Sequence, residues 1–480
     1  MQYMPGTRKI TNAALAIDLG STRFKLGCAA PDGRLVCVYS VAAPRATGEG
    51  LIREIDPPAV LRSIELLWNE YPDAPAGQPL GLVCQRSTFL IWDRESGRAL
   101  TPLVSWQDRR AADWCTRHVD VDAVLRRRAG LLLSPHYAGP KLAAMLADDD
   151  ALAARLNASD ALFGNLDAWL TWVWTDGAVH RTDLTMAART GMADIVTGDW
   201  SDELLDWYRV PRAALPEIVA TDARPVELGN GLRLGIGIAD QASGALASLG
   251  ADGDAALVNL GTGGFVLRPV ADADRRVPGY LTAPIFSSPT QIPRKPSTRG
   301  VRCVLEGTIN GAGPAVAAFG AGPVELPNRD HCQDGFAIPD MTGIGSPHWR
   351  PEVGLTLSPA ARRLGAQERR RVVVEGLLFR VFEILRDLGG GQLPRNVRLS
   401  GGLANEPGIA RGLASLLGRP VEVLDEPESG LLGAARLALG LEPQRTGSAG
   451  QVEPSDAGAY LSAKFPRWVE WMRGSLGGAA

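Results

Sequence analysis

Apolar and polar positions alternate from Ala14 to Leu19, break at Gly20-Ser21-Thr22, and resume from Phe24 toward a second turn at Asp32-Gly33. A period of two interrupted by turn residues predicts consecutive β-hairpins. The arrangement returns in ALVNLGTGGFVL (256–267), with Leu260-Gly261-Thr262 standing where Leu19-Gly20-Ser21 stood and Phe265-Val266-Leu267 where Phe24-Lys25-Leu26 stood. Chance similarity of two glycine turns is one explanation. Internal duplication is the other, and the position of each copy near the start of one half favours it. Helical stretches are predicted over 160–176 and 202–208, with 211–230 rich in Pro, Glu and Ala and lacking periodicity. Gly and Asp cluster at 250–254 between two apolar runs, as at a lobe boundary. From Glu368 to Leu388, apolar residues at Val374, Leu377, Leu378, Val381, Leu385 and Leu388 form a helical stripe, with Arg369, Arg370 and Arg371 as its solvated first turn. A strand over 396–399, a helix over 429–439 and a polar surface excursion over 444–458 complete the pattern. Strand and helix signals alternate in both halves, which predicts an α/β protein of mixed sheets covered by helices.

A chain of 480 residues exceeds what one hydrophobic core normally serves, so two lobes are expected. With 50 Lys+Arg against 53 Asp+Glu, the formal net charge is -3, and no whole-molecule field recruits nucleic acid or anionic membrane. Arg126-Arg127-Arg128 reads as a charged helix face. The six cysteines, Cys28, Cys37, Cys84, Cys115, Cys303 and Cys332, form no CxxC pair, and residues 1–12 lack a signal-peptide apolar core. Reduced thiols in a cytoplasm are expected. No apolar stretch approaches the roughly 20 residues that span a bilayer.

Phosphoryl transfer asks a protein to cradle phosphates, neutralise their charge and orient an attacking hydroxyl. No GxxxxGK[ST] is present, so a Walker-type site is not supported. Gly20 and Gly261 would let backbone N–H groups approach phosphate oxygens, while Ser21, Thr22 and Thr262 add hydroxyls. Asp18, at the end of an apolar strand, is either a holder of Mg²⁺ or a turn aspartate bonding nearby N–H groups. Asp240 follows the apolar run 234–239 and precedes Gln241 and a small-residue helix, a place for either a helix cap or a catalytic base.

In collinear order, IDLGSTRFKLG, WQDRR, FGNLDAWLTWVW with Thr182-Asp183, Ala239-Asp240-Gln241, NLGTGGF, Leu305-Glu306-Gly307, SGGLAN and ESGLLGAA resemble the motifs of the FGGY carbohydrate kinases, over nearly everything from Ala14 to Gly440. The resemblance implies two actin-like, ribonuclease-H-like lobes with ATP and sugar in the cleft between them. It divides the chain into a flexible 1–12, an N-terminal lobe 13–250 for sugar and phosphate, a C-terminal lobe 251–442 for adenosine and phosphate, and a tail 443–480 with a terminal helix. It also implies that Asp18 binds Mg²⁺–ATP and that Gly20, Ser21, Thr22, Gly261, Thr262 and Gly263 contact phosphates. Gly401, Gly402 and Asn405 would line the adenosine pocket, and Asp240 would take the hydroxyl proton.

Substrate contacts would come from Arg86, Ser87, Trp106, Asp108, His136, Asp240 and Gln241. Two of these positions depart from the glycerol-kinase pattern: Ser87 replaces a polyol-binding Glu, and His136 stands where a Tyr is usual. His136 is a substrate contact or a capped loop histidine, and Trp106 packs on a polyol or in the core. A ketopentose such as D-xylulose is the expected substrate, with glycerol or erythritol as the alternative. A catalytically silent sugar-binding relative is the rival of another class, and a chaperone-like ATPase a further one. Expected partners are a small sugar or polyol, with a homodimer allowed for and neither nucleic acid nor membrane.

Overall fold

A computed structural model describes residues 13–71, 74–288, 300–328, 335–442 and 447–477. The stretch 1–12, expected to be flexible, lies outside the described residues, as does Cys332.

Two large sheets organise the chain. The first is built from β1 (Ala14–Leu19), β2 (Arg23–Ala29), β3 (Leu35–Ala42), β4 (Pro79–Cys84), β5 (Val226–Glu227) and β6 (Arg233–Ala239), in the order β5-β6-β4-β1-β2-β3. The second comprises β7 (Ala255–Leu260), β8 (Gly264–Val270), β9 (Leu281–Ser287), β10 (Val301–Ile309), β11 (Asn396–Ser400), β12 (Val421–Leu424) and β13 (Ser448–Val452), in the order β9-β10-β8-β7-β11-β12-β13. Laid on each other, β1, β2, β3, β4, β6 and β5 coincide with β7, β8, β10, β11, β12 and β13. Strand directions agree too: each central strand has an antiparallel neighbour on one side, two parallel strands on the other, and an antiparallel strand at the edge. The duplication suggested by two short turns thus extends to whole sheets, with β9 as the second sheet's additional strand.

Each sheet is flanked by helices. α1 (Pro57–Trp68) packs on β2 and β3, with Asp56 as its cap and proline at its start. The short α2 (Leu184–Ala188) lies beside β6, which runs into α3 (Asp240–Leu249). In the second half, α4 (Ala366–Leu388) buries its whole expected stripe. Its first turn is less solvated than expected, because Arg370 reaches Glu406 at 3.0 Å with both side chains largely buried. α5 (Pro407–Leu417) and α7 (Ala457–Ser475) pack on the same side. α7 docks through a buried polar contact: Lys464 Nζ and Tyr460 OH both donate to Glu375 at 2.8 Å. A buried charge needs such a partner.

α6 (Ser429–Ala438) belongs by sequence to the second half yet packs on β1, β4 and α3 of the first. Its Leu431, Ala434 and Ala435 share one apolar core with Leu15, Ile17, Leu82 and Leu246. Small residues allow the α3–α6 approach: Ser243 Oγ donates to the Gly430 carbonyl at 2.7 Å, and a β-carbon on Gly433 would collide with the Ser243 carbonyl.

Some local expectations change. The stretch 160–176 is a strand, Ala161–Asn165, followed by a helix, Leu166–Trp174. Every residue of that strand is buried, and such strands lack the alternation that would distinguish them from helix. The polar 448–452 segment is not a free excursion but the edge strand β13. Arg126, Arg127 and Arg128 pair with Asp122, Glu203 and Asp194, as a charged helix face does. Among the described residues no helix is long and apolar enough to cross a membrane.

Candidate active site

Three parallel strands of the first sheet end side by side, with Leu19 of β1 in register with Cys84 of β4 and Cys84 with Ala239 of β6. The chain therefore releases Gly20-Ser21-Thr22, Gln85-Arg86 and Asp240-Gln241 along one edge, the carboxyl ends of the strands, where open α/β sheets bind ligands. The second sheet repeats the device. Asn259 of β7 lies opposite Ser400 of β11, joined to it by a 3.0 Å hydrogen bond, so 261–263 and 401–402 also leave from one edge.

Asp18 sits one residue inside the first edge. Its carboxyl is pushed up to about 7, first by burial and then by the Asp240 carboxylate, while Lys25 opposes the rise. Lys25 pairs at 2.7 Å with Glu428, the residue before α6, tying the strand after the first turn to the second half of the chain. Asp240 is the first residue of α3 and not the residue that caps it. Its side chain is 48% exposed, and its Oδ1 accepts the Gln241 N–H at 2.8 Å while lying 3.4 Å from Arg86 Nε.

Arg86 connects these groups. Its Nη1 donates to Gln241 Oε1 at 2.6 Å and lies 3.8 Å from Glu306. Arg189, just beyond α2, pairs with the same Glu306 carboxylate and approaches Gln241 Oε1 at 3.4 Å. Burial, and then the neighbouring Arg189 charge, lowers the Arg86 pKa. Among the described residues Arg189 Nε and Gln241 Nε2 are buried without a hydrogen-bond partner, donors that a bound hydroxyl would satisfy. Sequence reasoning gave neither Arg189 nor Glu306 a role. Glu306 stood in the quoted Leu-Glu-Gly segment, whereas the only signal for Arg189 was its place after Thr182-Asp183.

Two residues expected at the substrate are held by partners within the protein. Ser87 is buried in a left-handed conformation (φ 62°), and its hydroxyl donates to the Arg189 carbonyl at 2.9 Å. Asp108 is fully buried, and its oxygens accept from the Arg53 N–H at 2.6 Å and from the Arg110 N–H and guanidinium at 2.9 Å. Its role is to fix the turn that carries Trp106. Trp106 and His136 are half-buried and meet edge to face, their ring centroids 5.5 Å apart. Burial, together with Lys141, Arg86 and Arg189, pushes His136 down to about 3, so its ring is neutral beside the arginine pair. Lys141 Nζ donates to the Ser105 carbonyl at 2.8 Å, holding the Trp106 segment from beneath.

On the nucleotide side, Ser21, Thr22 and Thr262 are exposed on their turns, and Gly401, Gly402 and Asn405 are exposed around the short helix Gly402–Asn405. Gly401 has φ 89°, and a β-carbon there would collide with the Leu260 carbonyl next to the second turn. Gly401→Ala is expected to cost about 1–3 kcal/mol of stability through strain and overpacking. ATP affinity should weaken with it, and a thermal melt and an ATP titration of the same sample check both.

The profile of the FGGY family of carbohydrate kinases, N-terminal domain, matches residues 13–258, and that of the C-terminal domain matches 325–440. The chain belongs to the FGGY family of carbohydrate kinases. The glycerol kinase of Xanthobacter autotrophicus is 31% identical over 471 residues, covering 88% of this chain and 89% of its own. Among solved structures, Plasmodium falciparum glycerol kinase with ADP aligns at a TM-score of 0.82 and 19% identity, over 95% of this chain and 97% of that one. A ligand-bound xylulose kinase from Lactobacillus acidophilus aligns at a TM-score of 0.82 and 18% identity, over 96% and 98%. These two establish the two-lobed, actin-like fold. Membership in the FGGY family makes the chain a phosphotransferase with an alcohol group as acceptor, and a kinase of this family uses ATP.

Proposed function

We propose that this FGGY kinase transfers the γ-phosphate of ATP to a hydroxyl of a small sugar, with Asp240 as the base that takes the hydroxyl proton. The observation that supports the reading is the common edge at Leu19, Cys84 and Ala239, from which the Gly20-Ser21-Thr22 turn, Arg86 and the half-exposed Asp240 all leave. Arg86 and Gln241 would hold the acceptor, Trp106 and His136 would form one wall, and Asp240 would face the reacting oxygen. The two turns and Gly401-Gly402 would take the phosphates and the adenosine side.

Mg²⁺ fits the same floor. Burial, and after it the Asp240 carboxylate, raises the Asp18 pKa, and a divalent cation would relieve that unfavourable charge. Mg²⁺ in such sites is commonly held by one or two carboxylates together with phosphates and water. Asp18 would hold it, and when bound it would neutralise charge on the transferring phosphoryl group.

For the acceptor, a ketopentose such as D-xylulose is the first reading, because Ser87 withdraws from the cleft and leaves no carboxylate where a glycerol-type pocket has one. Glycerol or erythritol is the second, favoured by the Arg86–Gln241 hydrogen bond and by the aromatic pair of Trp106 and His136. Coupled ADP release measured with D-xylulose, D-ribulose, glycerol, erythritol, L-fuculose, L-rhamnulose and D-gluconate should single out one of these classes. Sugar-independent hydrolysis, or binding with no ADP release from any acceptor, would overturn the kinase reading in favour of an ATPase or a silent relative.

A further inference from the structure

Behind the strand that delivers Asp240 lies a carboxylate with no part in the site described so far. Asp183 precedes α2 and is fully buried. One of its oxygens, Oδ1, accepts the Thr185 hydroxyl proton at 2.6 Å and the Met186 N–H at 3.1 Å. The other, Oδ2, accepts from the Thr221 hydroxyl at 2.8 Å. Thr185 has given its only hydroxyl proton to Asp183, so its oxygen acts as an acceptor, and it receives the Ala239 N–H at 3.0 Å. Ala239 is the last residue of β6, and the next residue is Asp240. The residue at the cap of α3, Ala239, has no hydrogen-bonding side chain to hold the helix start, so the backbone direction into the helix is set by this bond and by the β6–β4 ladder.

The Thr221 arm runs to the other sheet. Thr221 Oγ1 accepts the N–H of Ser287, the final residue of β9, at 3.0 Å, and the Thr221 N–H donates to the Ser287 carbonyl at 2.9 Å. One buried carboxylate thus orders a hydroxyl beneath the base and a hydroxyl holding a strand of the second sheet. Burial raises the Asp183 pKa to about 6, with the Thr185 and Thr221 hydroxyls opposing the rise. Both hydroxyls donate to it, so its two oxygens serve as acceptors for the two arms.

We infer that Asp183, acting through Thr185, is a positioning residue for the transfer: it fixes the Ala239 N–H and thereby the place from which the Asp240 carboxylate reaches the acceptor hydroxyl. The inference rests on Asp240 being the base. Misplacing a reacting group by about 1 Å costs on the order of 100-fold in rate, so the link should be visible in kcat.

The test compares Thr185→Val, Thr185→Ser, Asp183→Asn and Asp240→Asn in the full chain, assayed with the acceptor that turns over fastest in the ADP-release screen. Thr185→Val removes the hydroxyl at nearly constant shape and is expected to lower kcat roughly 10- to 100-fold with KM for ATP within about twofold. Thr185→Ser restores the hydroxyl and should recover kcat to within about threefold, a rescue that a packing role alone would not give. Asp183→Asn keeps an oxygen for Thr185 and should fall between them, and it also stands in for Thr185→Val if that variant does not fold. Wild-type kcat in Thr185→Val, or equal impairment in Val and Ser variants, overturns the positioning role. So does a crystal structure of Thr185→Val in which the Ala239 and Asp240 backbone has not moved, whichever acceptor is used. Turnover that persists in Asp240→Asn instead removes the base reading itself, whatever the Thr185 variants do.

Discussion

Asp240→Asn is expected to lower kcat by roughly 10²- to 10⁴-fold, the range a general base contributes, while ATP binding stays within about twofold. The substitution is conservative in shape. An asparagine oxygen can still accept the Gln241 N–H that Asp240 Oδ1 accepts at 2.8 Å, and helix α3 loses no contact. What disappears is the ability to take a proton at a half-exposed position 3.4 Å from Arg86. Steady-state ADP release gives kcat, and calorimetric titration with ATP gives affinity. Unchanged turnover would remove Asp240 from the mechanism and leave it as the first residue of a helix.

Asp18→Asn should produce two effects of opposite sign. Burial and Asp240 raise the Asp18 pKa from 3.8 to about 7, so the folded chain binds this proton more tightly than the unfolded chain does. The resulting stability is complete below pH 4 and is lost as pH rises through about 7, because ionising the buried group then costs free energy. At pH 8 the neutral asparagine avoids that cost. The ligand-free variant should melt about 2–4 °C higher than its parent at pH 8, a partly relaxed share of the roughly 4 kcal/mol that three pKa units represent. The difference should vanish toward pH 4. Turnover should move the other way, falling about 10²-fold or more as charge stabilisation at the phosphates is lost. The melting point gained on adding ATP with Mg²⁺ should shrink with it. Melting curves at pH 4.5 and pH 8, with and without nucleotide, separate the two effects. A variant less stable at pH 8 with normal turnover would contradict both.

Much of this site was readable from local chemistry. A glycine followed by hydroxyl residues after an apolar strand has few meanings, and Gly20 and Gly261 both stand where sequence placed them. The α4 stripe was equally clear, since one helix face carries it. What stayed hidden depends on partners distant in sequence. Arg86, Arg189 and Glu306 assemble from three separate segments, and nothing around Arg189 indicates that it shares a carboxylate with Arg86. Ser87 read as a weakened substrate contact because its left-handed backbone and its bond to Arg189 are tertiary facts. Asp108 was expected at the substrate because WQDRR resembles a family motif, whereas the fold gives its oxygens four donors from Arg53 and Arg110. The 448–452 strand was missed because an edge strand with exposed side chains has no hydrophobic pattern to betray it.

The position of α6 has a consequence for how the molecule is made. The helix whose Leu431, Ala434 and Ala435 complete the core of β1 and β4 is synthesised long after those strands. The core around β1 and β4 is therefore complete only once α6 exists, and the native packing of the first half depends on the second.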